Sequence, residues 1–102
     1  MNEVTFQGFL DGKLCFALKG DIDAGNAENF YGAVLQEYGN NSADLFFDCA
    51  ELDFIDSTTL GTFVKILKMA KTDGKKMTLV NLQPKVKKLF VICSLDTVME
   101  IE

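Results

Sequence analysis

Three apolar side chains in a row, Leu45, Phe46 and Phe47, stand between Asp44 and Asp48, and an apolar period of helical type runs through the segments on either side. So short a run, bounded by acids, suits a buried central strand. On its N-terminal side Ala27, Phe30, Tyr31, Val34, Leu35 and Tyr38 recur at helical spacing until Gly39-Asn40-Asn41 ends the pattern. On its C-terminal side Leu60, Phe63, Val64, Leu67 and Ala70 form a second stripe, with Lys65, Lys68 and Lys71 pointing away from it and Thr72-Asp73-Gly74 stopping it. Strands alternating with helices imply a sheet that is at least partly parallel, with helices packed on it.

The rest of the chain fits that frame. EVTFQGF (3–9) and KLCFALK (13–19) flank Asp11-Gly12, the strongest short hairpin signal. CAELDFI (49–55) reads as a connector and MTLVNL (77–82) as a further strand. Pro84 opens a third helix whose buried face is Val86, Leu89, Phe90 and Cys93. The tail TVMEIE (97–102) suits either a last edge strand or the end of a short helix. The expected fold is α/β: one domain over 1–102, an N-terminal hairpin followed by alternating helix and strand, with helices packed on a mixed sheet of about four to five strands.

Composition narrows the function. At 102 residues, 48% hydrophobic and 25% charged with one proline, the chain is expected to be one folded globular domain. No apolar run is long enough to span a bilayer, and MNEVTFQGFL lacks the basic start and apolar stretch of a signal peptide, so a soluble, cytoplasmic protein without membrane insertion is expected. Cys15, Cys49 and Cys93 are odd in number and set among apolar neighbours, which suits reduced, buried thiols. No pair has metal-ligand spacing, and the chain has no histidine. Ser-His-Asp and Cys-His catalysis are thereby excluded, and neither a metal site nor a cofactor is expected.

A net charge of −5 argues against direct nucleic-acid binding. Residues 1–56 carry eleven acids and two lysines, while residues 57–102 carry eight lysines and four acids, so the sign changes at Ser57-Thr58-Thr59. Solvated faces of different composition would produce this; so would a polarised surface that orients a charged partner.

The hydroxyl cluster follows a strand-like run and opens a helical stripe, which places Ser57 at or just inside a helix N-terminus. Asp56 and Ser57 suit capping there. The same position is exposed and electropositive, so a phosphate on Ser57 would be tolerated locally by the helix while changing what the surface binds. Capping and switching are compatible. GDIDAG (20–25) has the outer glycines of a phosphate-binding loop, but Asn26 and Ala27 stand where Lys and Ser/Thr are required. It also fails as a calcium loop, since Gly25, Asn26 and Gly32 occupy ligand, glycine and closing-glutamate positions. It is a solvated acidic turn before a helix, and Lys85, Lys87 and Lys88 are the wet face of the third helix.

Taken together, LKGDIDAGNAENF (18–30), LFFDCAELDFIDSTTLG (45–61), DGKKMTLVNL (73–82) and PKVKKLF (84–90) resemble, in order, successive blocks of the STAS domain, above all the stand-alone anti-sigma-factor antagonists of bacteria. The resemblance implies phosphorylation on the serine that follows the motif's aspartate, here Ser57, by a cognate anti-sigma factor that is itself a serine kinase with a histidine-kinase-like ATPase fold. It implies that the unphosphorylated antagonist binds that kinase and frees the sigma factor, that phosphorylation blocks binding, and that a PP2C-type phosphatase restores it. Asp21 and Asp23 in GDID, Asp56, Ser57, Thr58, Thr59 and Gly61 are the implied partner-binding residues. Thr59 departs from the family's usual glycine, adding β-branched bulk where a partner's backbone would approach. Among the three hydroxyls Ser57 ranks ahead of Thr58, and Thr58 ahead of Thr59. Gly61 is kept at a cost of about 1 kcal/mol relative to alanine in a helix; close packing, docking or no role would each account for it.

Two functions follow. One is a partner-switching regulator; the alternative is a STAS subunit docked on a lipid-trafficking transporter ATPase complex, with the hydroxyl as a contact and no phosphoswitch. An enzyme is disfavoured because no base is positioned to activate a nucleophile.

Overall fold

The computed structural model describes residues 3–102; Met1 and Asn2, which begin the stretch read above as lacking signal-peptide features, lie outside the described residues. Five strands, β1 (Val4–Leu10), β2 (Lys13–Ile22), β3 (Asp44–Ile55), β4 (Met77–Val80) and β5 (Glu100–Ile101), form one sheet in the order β1-β2-β3-β4-β5. Only β1 and β2 are antiparallel. They turn at Asp11 and Gly12, both at positive φ (52° and 78°), a turn whose twist matches that of the strands it joins. The other neighbouring pairs are parallel and are joined through α1 (Ala27–Asn40), α2 (Ser57–Thr72) and α3 (Pro84–Ile92). The fold is thus the expected α/β unit on a mixed sheet.

A chain of phenylalanines shows where the core sits. Phe16 of β2 stacks on Phe47 of β3 at 5.4 Å between ring centroids; Phe47 meets Phe30 of α1 at 5.9 Å and Phe63 of α2 at 5.8 Å; Phe63 reaches Phe90 of α3 at 5.3 Å. All five rings from the helices and the central strands are fully buried or nearly so, and all three helices share this one cluster, so they lie on one face of the sheet. Edge-to-face pairs of this kind contribute about 0.5–1.5 kcal/mol each beyond area burial.

Two expectations need correction and one open alternative is decided. CAELDFI is no connector: β3 continues through it to Ile55. Its alternation is lost because the β2–β3 register shifts twice, between Ala17 and Lys19 and between Gly20 and Asp21, so Leu52 and Ile55 are both buried at a spacing of three. Cys93 is exposed, because α3 stops at Ile92 and Ser94 turns the chain at φ 58°, which leaves the expected position one step beyond the buried face. The tail resolves its two alternatives by taking both, a 3₁₀ turn at Leu95–Thr97 followed by β5.

Candidate functional site

The end of β3 delivers Asp56 in extended backbone (φ −120°, ψ −174°), and Ser57 is the first residue of α2. Asp56 is the N-cap: its carbonyl accepts the first helical hydrogen bond from the Leu60 amide at 3.1 Å, and its Oδ1 accepts from the Thr59 amide at 3.0 Å. Its other oxygen, Oδ2, accepts from the Ala24 amide at 3.0 Å, across to the loop that leads into α1. The Thr59 amide, in opposition to partial desolvation and with help from Ala24, holds the Asp56 carboxyl below the usual carboxylate range.

Thr59 reinforces the same junction from below. Its side chain is 0% exposed, and its hydroxyl proton is shared between the Ile22 carbonyl, at the end of β2, and Asp56 Oδ1 at 3.1 Å. A buried hydroxyl needs such a partner, and here it joins strand, loop and helix at one point.

Facing it, the GDID loop is folded on itself. Asp23 donates its amide to Asn26 Oδ1 at 2.8 Å, Asn26 Nδ2 donates to the Asp21 carbonyl at 2.9 Å, and Asp23 Oδ1 accepts from the Gly25 amide at 2.9 Å. Asn26 immediately precedes α1 yet makes no side-chain bond to that helix; its amide group is spent on the loop.

Ser57, Thr58, Gly61 and Asp21 are therefore exposed, Asp23 and Asp56 partly so, and Thr59 is not at the surface at all. The bulk expected at Thr59 points into the fold, and neither a kinase nor a partner's backbone reaches its hydroxyl in this arrangement. Beyond its chain neighbours and the backbone of its own helix, nothing lies within 4 Å of where a Gly61 methyl would stand, so packing within the domain is not what calls for glycine there. Asn26 and the inward part of Thr59 went unrecognised in the sequence; an Asn directly before a helix and a Thr three residues after an acidic cap were the only signals.

The family model of the STAS domain matches residues 6–102. The chain belongs to the STAS domain family. Over 82 residues this STAS domain is 33% identical to the anti-sigma-B factor antagonist of Bacillus subtilis, a match covering 76% of this chain and 75% of that protein. A candidate anti-sigma factor antagonist from Thermotoga maritima superposes on the STAS domain with a TM-score of 0.88 at 25% identity, covering 98% of this chain and 86% of the other. The Bacillus cell fate determinant SpoIIAA in its phosphorylated form shares the fold, with a TM-score of 0.76 at 16% identity over 97% of this chain and 90% of its own. Among the described residues of the STAS domain no helix is long and apolar enough to cross a membrane.

Proposed function

We propose that the chain is an anti-sigma-factor antagonist that works by partner switching, with Ser57 as its switch. The observation that carries the reading is the exposure of Ser57 as the first residue of a helix whose cap is already satisfied by Asp56. In the unphosphorylated state the surface of Ser57, Thr58, Gly61 and the GDID loop binds an anti-sigma factor, which releases its sigma factor. That partner is a serine kinase of histidine-kinase-like ATPase fold, and it transfers the γ-phosphoryl group of ATP to Ser57 Oγ, with ADP leaving and the hydroxyl proton passing to a base on the kinase.

Two opposing electrostatic effects then act on the product. The phosphate adds about −1.5 to −2 charges, and the α2 N-terminus favours an anion there by about 0.3–1 kcal/mol, so the fold tolerates it. The same charge sits beside the Asp56 carboxylate and faces the anionic phosphates of the kinase's own nucleotide, so the complex is repelled. A PP2C-type phosphatase removes the group and resets the chain. The relationship to an anti-sigma-B factor antagonist supports this reading, and a fold relative known in a phosphorylated form is in keeping with it. The domain is here a substrate and a binding module, acting in the cytoplasm on proteins.

The test is incubation with anti-sigma factor serine kinases and magnesium-ATP, followed by intact mass and site mapping. Wild type gains a single phosphate on Ser57, Ser57→Ala gains none, and Ser57→Asp loses kinase binding. Should Ser57→Asp bind as well as wild type, the switch is refuted whatever the mass spectrum reads.

A further inference from the structure

Both Asp56 carboxylate oxygens are engaged within the domain, so residues around Ser57 add to the chemistry a partner meets there. Phe54, three residues before Ser57, is 50% exposed while Leu52 and Ile55 around it are buried. It lies opposite Asp21 of β2, just past the second register shift. A lone exposed aromatic is ordinary on a protein surface, but one whose strand partner and chain neighbour line a charged groove, three residues before a modifiable hydroxyl, has the position of an interface anchor. Such a groove is present: an open channel of about 990 Å³ has Asp21 and Asp53, the strand partner and chain neighbour of Phe54, in its wall. Glu3, Asp23 and Glu51 add three more carboxylates against the single cation of Lys19.

Gln83, just before α3, keeps this wall in place, donating Nε2 to Asp53 Oδ1 at 3.0 Å and to the Ala50 carbonyl at 3.2 Å. Among the described residues no three potential metal ligands converge, so the carboxylates are strung along the groove rather than gathered around an ion. That arrangement complements a polypeptide with several cationic side chains.

We propose that Phe54 and this groove, continuous with the GDID loop through Asp21 and Asp23, extend the partner surface into a second docking region, which takes a Lys- or Arg-rich segment of the same protein partner that meets Ser57, with the Phe54 ring seated in an apolar pocket of that segment. The inference rests on the partner-switching reading above. It separates attraction from repulsion: the groove draws the basic segment in whether or not Ser57 is modified, whereas the phosphate acts locally on the kinase's nucleotide.

The experiment titrates the unmodified full chain against the kinase found to phosphorylate Ser57, at low and high salt, with Phe54→Ser, Phe54→Tyr and Asp53→Asn. Phe54→Ser should weaken binding by about tenfold or more with an unchanged thermal melt, since the ring is not part of the core, and Phe54→Tyr should restore most of the loss. Asp53→Asn and raised salt should slow association. If Phe54→Ser binds within about twofold of wild type, or association ignores salt, the second surface is refuted while the Ser57 switch stands, because Ser57→Asp still disrupts binding. If no such kinase binds wild type, both fall.

Discussion

Two helices begin side by side at this site and are fastened in opposite ways. At α2 the cap residue Asp56 reaches forward to its own helix and sideways to Ala24, and Thr59 ties it to Ile22. At α1 the corresponding Asn26 ignores its helix and holds the preceding loop together through Asp21 and Asp23. One start depends on an ionised carboxylate and a buried hydroxyl, the other on a neutral amide. Rigidity near Ser57 therefore has a charge-dependent source in Asp56, whereas the Asn26 contacts that close the facing loop carry no charge.

The largest effect that would break this contrast is at Thr59. Thr59→Val keeps the shape but strands the Ile22 carbonyl, and should cost about 1–3 kcal/mol in urea unfolding, with Thr59→Ser restoring most of it. An unchanged midpoint for valine would mean that the hydroxyl ties nothing. Next comes acidity. Because the folded Asp56 pKa lies below its ordinary value, the associated stability is present above the ordinary carboxylate range and is lost as pH falls through that range towards the lowered folded value. Wild type should thus lose more stability between neutral and acidic buffer than Asp56→Asn, which still caps but cannot ionise; parallel curves would remove Asp56 from the comparison.

At α1, Asn26→Ala should cost about 1 kcal/mol, with faster amide exchange at Asp23 and no added pH dependence. The smallest change sharpens the comparison from outside the junction: Gly61→Ala, with open space around the new methyl, should stabilise the chain by about 0.5–1 kcal/mol. If the stabilised variant binds its kinase less well, glycine is retained for docking; if it binds equally, that position is idle.

How far the sequence foretold all this varied with the length scale of the interaction. Helical stripes such as Leu60, Phe63, Leu67 and Ala70, the Asp11-Gly12 turn and the Asp56 cap were legible because each depends on near neighbours and a single periodicity. The second half of β3 was not, since its register shifts are set by pairing with β2, a segment some thirty residues away. Ser57 and Thr59 look alike in the string STT, yet one is exposed and the other sealed, because helical geometry turns the third residue back under the loop. Cys93 fits the buried stripe of α3 by spacing alone; only where the helix ends decides otherwise.

That last position leaves the chain with a practical property. Cys15 and Cys49 are sealed in the interior, and burial, with the charge of Asp48 beside it, pushes the Cys49 thiol up to about 12, far from the thiolate that maleimides attack. Cys93 alone is open to such reagents, so the unmutated chain already offers a single attachment point for a fluorophore with which to follow its encounters.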